Sequence, residues 1–459
     1  MHFVKISAIV LFALTSTGIF GQQSVPVFAN RRDSAEYSLV VEAINKIFID
    51  RQVNTEYEKS TKKFDSLIRV ERGFRDKIIG YRIAYKPRKG FTSLDDLKNG
   101  KVKPDEVIQL SIMQSGVTTI PREIYSCSNL KALELINTSV KRLPPDLSRL
   151  KQLQSVYLYN NKLSRKLKLG KNPNIHRLVI QGVEAKSLPK SYKNFASLDS
   201  LELSRNIGMT AFPNISRNKN LVKLNLIENN LTLQDIKKGN SSLQDLNLQK
   251  NKITSVSAGI SKFPNLKKLG LNYNKITEMH PAVGELTRLE SIGLYQNQLD
   301  HIPTGIFKLK NLQIIDLYYN SLTKIDSQIS KLSSLKVLYL SNNQLTELPE
   351  SIGKLSNLKE LYAHDNKLAS LPQSLKSLRE LRVLRVNNNY LTALPPSIFE
   401  LSELENLDVS RNYMYNFPSQ LDGLSKLQIL GLIGNPWENT EDVNRVAENM
   451  RAKGLVCLY

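Results

Sequence analysis

Apolar residues recur along most of this chain with one spacing. Between Val107 and Trp437 the same pattern appears fifteen times at a period of 23 residues, with two copies of 22. In a representative copy Leu335 leads, and Leu338 and Leu340 follow three and five residues later. Apolar residues two apart predict a short strand with one buried face. Because one copy cannot bury its leucines alone, the copies must stack.

Polar residues and prolines mark the end of each predicted strand. Eight residues after the lead, Asn stands in twelve copies: Asn161, Asn206, Asn229, Asn251, Asn274, Asn297, Asn320, Asn343, Asn366, Asn389, Asn412 and Asn435. A buried Asn amide carries donors and an acceptor, so we expect it to hydrogen-bond the turn backbone. An apolar–Pro pair such as Leu394-Pro395 then ends the turn. In the representative copy Ile352 and Leu355 point inward again.

This pattern resembles that of leucine-rich repeats, L-x-x-L-x-L-x-x-N-x-L-x-x-L-P-x-x-I-x-x-L, over about 330 of the 459 residues. The resemblance implies an α/β solenoid, a leucine-rich-repeat horseshoe with a parallel concave β-sheet, a helical N-terminal flank and a helical C-terminal cap. It also implies that the residues at offsets 2, 4, 6 and 7 from each lead face the concave side.

The regions outside the repeats predict two flanks. The expected segments are a signal peptide (1–21), a mostly helical N-terminal flank (22–90), an incomplete first repeat (91–106), the fifteen repeats (107–437) and a C-terminal cap helix (438–459). Alternating apolar residues from Ile79 to Tyr85 predict a strand within the flank. The flank is expected to cover the first strand edge, and a separate binding role is the alternative.

The N-terminus has the pattern of an export signal. Lys5 precedes an apolar run from Ile6 to Leu14, and small residues follow up to Gly21. We expect a cut after Gly21; a cut after Ala29 and an uncleaved anchor are the alternatives. No later segment is apolar enough to span a membrane. The sequence therefore predicts a secreted, periplasmic or cell-surface protein, of bacterial type.

The net charge of +22 raises the question of a nucleic-acid or anionic partner. Eight acids stand at the predicted concave offsets: Glu134, Glu202, Glu228, Asp245, Asp316, Glu360, Asp365 and Asp408. Seven bases share that face: Arg177, Arg205, Lys223, Lys250, Lys268, Arg385 and Arg411. Because the concave face is nearly neutral, the excess lysine keeps the exterior solvated. Nucleic acid is not the expected partner. Anionic-surface binding through the convex side is the alternative.

Residues that carry chemistry are sparse. The five histidines do not cluster in a spacing for metal binding or nucleophilic catalysis. Cys127 occupies an inward leucine slot, and Cys457 lies beyond the last repeat, out of disulfide reach. We therefore expect no enzyme, no metal and no cofactor. Asp316 and Asp365 are expected to be surface groups and not catalytic ones.

Tyrosines concentrate on the predicted concave positions of neighbouring repeats. The candidate site comprises Tyr273, Tyr295, Tyr318, Tyr319, Tyr339, Tyr362, His364, Asp316, Asp365, Arg385 and Asn387. Gly270 and Gly293 are expected to leave a shallow, uncovered strip beside the rings, and Tyr157 and Tyr159 form a second concave pair. Tyrosine suits a partner interface, but a tyrosine ladder also stabilises cross-strand packing without any ligand.

Two functions are compatible with this surface. The first is a protein-interaction module that binds a protein or peptide on its concave face. The alternative is a glycan or cell-wall-binding protein whose tyrosine rings stack on sugars beside Asp, Asn and Arg.

Overall fold

The computed structural model describes residues 23–28, 32–33, 35–43, 66–67, 70, 77–84, 90–113, 116–140, 142–159, 168–182, 188, 190–206, 208–233, 236–418, 420–421 and 424–458. The expected signal peptide, both cut positions and Asn161 lie outside these residues. The chain divides into two units, Met1–Met209 and Thr210–Tyr459, which are described in turn.

The first unit contains ten of the strands that the structure describes. They are β1 (Gln23–Phe28), β2 (Ile78–Ala84), β3 (Thr92–Ser93), β4 (Gln109–Met113), β5 (Ala132–Ile136), β6 (Arg142–Leu143), β7 (Ser155–Tyr159), β8 (Lys168–Leu169), β9 (Arg177–Gln181) and β10 (Ser200–Ser204). One α-helix, α1 (Leu94–Lys98), follows β3, and 3-10 helices span Pro104–Glu106, Arg122–Ser126, Pro145–Arg149 and Lys190–Asn194. Strands β3, β4, β5, β7, β9 and β10 form a parallel sheet in that order.

The second unit repeats the same arrangement more regularly. Its strands are β11 (Lys223–Asn225), β12 (Asp245–Asn247), β13 (Ser255–Val256), β14 (Lys268–Gly270), β15 (Glu278–Met279), β16 (Ser291–Gly293), β17 (Ile314–Asp316), β18 (Val337–Tyr339), β19 (Glu360–Tyr362), β20 (Val383–Arg385), β21 (Asn406–Asp408), β22 (Ile429–Gly431) and β23 (Val456–Leu458). Seven 3-10 helices span Ala258–Lys262, Pro281–Glu285, Thr304–Lys308, Ser327–Lys331, Glu350–Lys354, Gln373–Ser377 and Pro396–Glu400, and α2 spans Thr440–Ala452.

The repeat period sets the register of the second unit's sheet. Apart from the β13–β15 pair, its strands form one parallel sheet in which the regular repeats pair residue i with residue i+23. Ile315 thus lies beside Leu338, and Leu338 beside Leu361, all fully buried. The flanking residue Tyr339 keeps part of its surface exposed. This outward side corresponds to the predicted concave side, and we call it the sheet face.

The expected role of the repeated Asn is confirmed. Asn366 Nδ2 lies within hydrogen-bond distance of the carbonyl oxygens of Leu340 (3.0 Å) and Ala363 (3.1 Å). Its Oδ1 accepts from the backbone N–H of Leu345 at 3.0 Å. Corresponding bonds form at Asn274 and Asn297. Each such amide therefore joins the backbone of its own repeat to that of the repeat before it.

In many repeats a proline begins the 3-10 helical segment on the side opposite the sheet, as the pattern predicts. Pro349 has φ −71° and caps the 3-10 helix Glu350–Lys354, and Pro372 caps Gln373–Ser377 in the same way. Proline suits this position because its fixed φ matches the local backbone and no N–H is lost from the helix. Ile352 and Leu355 are fully buried, as expected.

The C-terminus contains the predicted helix and one further strand. Helix α2 buries Val443, Val446, Ala447 and Met450. Beyond it, β23 pairs in parallel with β22 and places Cys457 beside Leu430, an addition that the repeat pattern does not predict. Burial raises the pKa of the Cys457 thiol to about 11. The buried Cys127 thiol is also free.

The N-terminal flank combines helix and strand. Residues 32–33, 35–43, 66–67 and 70 are helical, and the predicted strand is present as β2. Strand β1 pairs antiparallel with β2, from Gln23 opposite Ala84 to Phe28 opposite Ile78. Strand β3 joins the parallel sheet, and Leu94 and Leu97 behind it are buried.

Candidate binding site on the sheet face

The six candidate tyrosines all lie on the sheet face of the second unit, and each is partly exposed. We call this set the tyrosine patch: Tyr273, Tyr295, Tyr318, Tyr319, Tyr339 and Tyr362. Tyr339 and Tyr362 project from paired strands β18 and β19, and the other four follow their strands by two or three residues. The period therefore brings together residues that are far apart in sequence.

Four rings of the patch pack against one another. The centroids of Tyr273 and Tyr295 are 4.8 Å apart with an edge-on geometry, and those of Tyr318 and Tyr319 are 4.6 Å apart. Tyr295 connects the two pairs, at 5.3 Å from Tyr318 and 5.7 Å from Tyr319. Edge-on and tilted contacts at these distances are favourable for aromatic rings. These contacts thus fix the arrangement of the four rings relative to one another.

The other two tyrosines form a stacked pair. The rings of Tyr339 and Tyr362 are 4.8 Å apart with planes 18° from parallel. The Tyr362 hydroxyl donates to Glu360 Oε2 at 2.8 Å, and the Arg385 guanidinium lies 5.9 Å from the Tyr362 ring centroid. The Tyr362 side chain, at one end of the patch, thus contacts both the Glu360 carboxylate and the Arg385 guanidinium.

Two patch tyrosines occupy an unfavourable backbone conformation. The residue just before the repeated Asn has positive φ in every regular repeat, and at Tyr273 and Tyr319 it is 59° and 53°. This left-handed region suits Gly, Asn or Asp, and a bulky side chain is uncommon there. Other repeats have Asn342, Asp365 or Asn388 at this position, and several have a long side chain, such as Arg205 or Lys250. The turn therefore accepts short polar and long side chains alike at this position, and Tyr273 and Tyr319 are two of the long ones.

Burial of Asp316 contradicts the expectation of a surface carboxylate. Only 4% of the residue is exposed, because it lies between Gly293 and Tyr339 on the neighbouring strands. Its Oδ1 accepts from the backbone N–H of Tyr318 at 3.1 Å. Burial raises the pKa of the carboxyl to about 7, against the smaller lowering effect of that hydrogen bond. The prediction for Asp316 was wrong because the pattern does not show how neighbouring rings cover it.

Tyr295 lies among acidic and phenolic neighbours. Its side chain is only partly covered, but burial of the hydroxyl raises its pKa well above the usual value. The nearby Tyr273, Tyr318 and Asp316 raise it further. The phenol is therefore neutral throughout the physiological pH range, and it forms a hydrogen bond with Tyr273.

Asp365 is held in a local network and is also more covered than expected. Its carboxylate lies 2.6 Å from His364 Nδ1, and Asn342 and Asn388 donate to it. Burial alone would raise the pKa of Asp365, but the hydrogen bonds from His364 and Asn388 and the charge of Arg411 outweigh it and lower the pKa. The His364 ring in turn lies 5.7 Å from that of Tyr318. Asp365 thus positions His364 beside the patch.

The last two candidates border the patch. Arg385 follows Tyr362 in the strand register and is partly exposed, and its buried Nε has no hydrogen-bond partner among the residues that the structure describes. Asn387 is also partly exposed, and its carbonyl accepts from the backbone N–H of Asp365 at 3.0 Å. All eleven candidate residues therefore lie on six successive repeats of one sheet.

Two expectations about the surroundings of the rings were wrong. The strip at Gly293 is not uncovered, because a Cβ there would meet Asn272 Oδ1 at 2.5 Å. The Asn272 side chain lies close to Gly293, and its Oδ1 accepts a hydrogen bond from the backbone N–H of Tyr295 at 3.0 Å. In the first unit Tyr157 and Tyr159 are only 7% and 2% exposed, packed with Ala132, Ile136 and Val179, and Phe91 packs against this cluster. That pair belongs to a core and not to a free surface.

Among the described residues, no group of three or more His, Cys, Asp or Glu side chains is arranged to hold a metal ion. Within the same part of the chain, no helix has the length and apolar character needed to cross a bilayer.

Comparisons with known proteins agree with this architecture. A family model described as a leucine-rich repeat region matches residues 260–385 and 316–451. A Leptospira interrogans leucine-rich-repeat protein is similar at 28% identity and a TM-score of 0.63, covering 80% of this chain and 98% of that one.

Two more distant structures share the fold alone. An internalin from Listeria monocytogenes is 23% identical over 71% of this chain and 87% of its own, with a TM-score of 0.53. The Drosophila Toll–Spatzle complex gives 21% identity over 72% of this chain and 48% of that chain, with a TM-score of 0.63. The expected fold class is confirmed by the parallel sheets and by these neighbours. The chain has the leucine-rich-repeat fold, and its residues 260–451 match the leucine-rich repeat family model.

Proposed function

We propose that this chain is an exported, non-enzymatic binding protein whose tyrosine patch binds a protein or peptide. The observation that carries the proposal is the patch itself: six partly exposed tyrosines, held by ring contacts on neighbouring repeats. Large rings with a polar tip dominate many protein interfaces, and rings already held in place lose little entropy on binding.

A glycan ligand is the alternative, and the ring geometry favours it less. Sugars stack on free aromatic faces, whereas Tyr339 and Tyr362 turn one face of each ring toward the other. Edge-on contacts occupy part of Tyr295 in the same way. A flat glycan platform therefore has fewer free faces than the number of tyrosines suggests.

A peptide selection tests the proposal. A random dodecapeptide library displayed on phage is selected on the full chain, with the Tyr318→Ala, Tyr339→Ala, Tyr362→Ala triple variant as counter-target. We expect a family of related peptides that bind the unmodified protein and not the variant. Enrichment only of peptides that bind both equally would contradict the proposal. A glycan array on which binding depends on the same three tyrosines would support the alternative.

A matched control is present in the chain. Tyr390, Tyr413 and Tyr415 are 51%, 59% and 53% exposed, and they follow the repeated Asn, outside the patch. Their triple alanine variant removes the same amount of tyrosine from exposed positions. Peptide binding should survive in this variant.

A further inference from the structure

Charge is unevenly distributed along the sheet face of the second unit. In the four repeats that contain β16 to β19, the outward offsets carry three carboxylates, Asp316, Glu360 and Asp365, and no Lys or Arg. Bases stand on either side, at Lys268 and Arg385. The middle of the tyrosine patch is therefore a local acidic region on a protein whose net charge is +22, between Lys250, 5.7 Å from the Tyr273 ring, and Arg385, 5.9 Å from the Tyr362 ring.

Two of the three carboxylates are already engaged. Glu360 accepts from the Tyr362 hydroxyl at 2.8 Å. Asp365 accepts from Asn342 and Asn388 and lies against His364. Their charges are partly satisfied by neighbours on the sheet face.

Asp316 differs from both. Its Oδ1 accepts from the Tyr318 N–H, but no described residue hydrogen-bonds to its Oδ2 or forms an ion pair with it. A buried carboxylate without a counter-charge is costly. The 4% exposure of Asp316 and the rise of its pKa to about 7 are both consistent with that cost.

The fold does not need this charge. At the same repeat position, Asn225 Oδ1 accepts from the Ile227 N–H at 3.1 Å and Asn247 Oδ1 from the Gln249 N–H at 3.0 Å. A neutral amide therefore performs the same backbone role in two repeats of the same sheet. The negative charge at Asp316 is an addition, and it lies where the tyrosines concentrate.

We propose that Asp316 and the tyrosines around it receive a basic side chain, lysine or arginine, from a polypeptide partner. The inference rests on the proposed function and specifies the partner's chemistry. Aromatic rings attract a cation through their faces, and the attraction is stronger where water is excluded. A carboxylate among such rings supplies the counter-charge that the cation needs on leaving water.

A pH dependence follows, because the cation stabilises the ionised carboxylate. Binding should strengthen as pH rises from 6 to 8. The other titratable groups around Asp316 are the phenols of Tyr295, Tyr318, Tyr319 and Tyr339 on its own and adjacent repeats, Tyr273 beyond Tyr295, and His364 with Asp365 beyond Tyr339. Histidine is the other side chain among these types that changes charge near neutral pH. The dependence should therefore persist in His364→Gln and vanish in Asp316→Asn.

The test uses a peptide recovered by the selection and a copy with its basic residue replaced by norleucine. Affinities are measured for the full chain, for Asp316→Asn and for Asp408→Asn. Asp408 accepts the same kind of backbone hydrogen bond, from the Ser410 N–H at 3.1 Å, outside the patch. We expect a basic residue at one fixed position of the selected peptides. Either change, D316N or norleucine, should weaken binding at least tenfold, and the second should add little to the first. D408N should bind as the unmodified protein does.

The outcomes separate the two proposals. Patch-dependent peptides without a fixed basic residue, or with equal affinity for D316N, would overturn this inference and leave the proposed function standing. A selection without patch-dependent peptides would overturn both.

Discussion

At the scale of single residues, Asp316 shows what a periodic sequence can and cannot predict. Its offset from Leu312 places it on the outward side, and the structure agrees. Its burial depends on the rings of neighbouring repeats, which the strand period does not specify. The repeat period places the tyrosines on the outward side, so their positions can be predicted from the sequence. Their ring packing cannot be predicted, because it depends on side-chain orientations that the period does not specify.

The buried carboxyl makes stability depend on pH. Its pKa is raised from the ordinary 3.8 to about 7, so the folded state holds the proton more tightly than the unfolded state does. The contribution of Asp316 to stability is complete below pH 4 and is lost as pH rises through 7. Asp316→Asn, which stays neutral, should exceed the unmodified protein in unfolding free energy at pH 8.5 by roughly 4 kcal/mol. Urea denaturation at both pH values measures this difference.

Urea denaturation of the same two proteins at pH 4 is the reference for the difference at pH 8.5. There the protonated Asp and the Asn variant should have nearly equal unfolding free energies. Asp408→Asn, at the same repeat position, should change the unfolding free energy by less than about 1 kcal/mol at both pH values. Equal stability of D316N and the unmodified protein at pH 8.5 would contradict the account.

At the scale of elements, the repeated Asn is the feature that sequence predicts best. A buried amide at a fixed offset has few possible partners, and the turn backbone supplies them. The positive φ of the residue just before the repeated Asn cannot be predicted from the pattern, because Tyr, Arg, Glu and Lys all occupy that position. Strand β23 could not be predicted from the pattern either, since it follows α2 and carries no repeat motif.

Removing one amide of this ladder should weaken the stack. Asn366 is 8% exposed, and its alanine variant leaves the Leu345 N–H and the carbonyls of Leu340 and Ala363 without their side-chain partner. We expect a loss of about 3 kcal/mol in unfolding free energy, measured by urea denaturation. Asn357, which bonds the Ser333 carbonyl at 2.7 Å from an exposed position, is the control. Its alanine variant should lose less than about 1 kcal/mol, and equal losses in the two variants would refute the role of burial.

At the scale of the whole molecule, the two units use the same repeat differently. In the first unit, β5 is buried on both faces, and β7 and β9 are buried at four of five positions. In the second unit, the strands bearing the patch expose their flanking residues. The period alone predicts an open face throughout, because the residues that cover a sheet lie outside the repeat motif. The more exposed of the two sheet faces is therefore that of the second unit.

Strand β1 refines the prediction of where the expected signal peptide is cut. A cut after Gly21 leaves β1 paired with β2, whereas a cut after Ala29 removes β1 entirely. We therefore expect the exported protein to begin at Gln22. Mass spectrometry of the protein recovered from a bacterial host's exported fraction gives the mature N-terminus directly. A mature N-terminus at Asn30, or retention of residue 1, would contradict this prediction.

The most direct test of the central claim is the dissociation constant of a selected peptide for three full-length proteins. For the Tyr318→Ala, Tyr339→Ala, Tyr362→Ala variant, we predict affinity about a hundredfold weaker than for the unmodified chain. The Tyr390→Ala, Tyr413→Ala, Tyr415→Ala variant should stay within about twofold, with both variants folded by circular dichroism. Equal affinity of all three proteins would show that the tyrosine patch is not the binding surface.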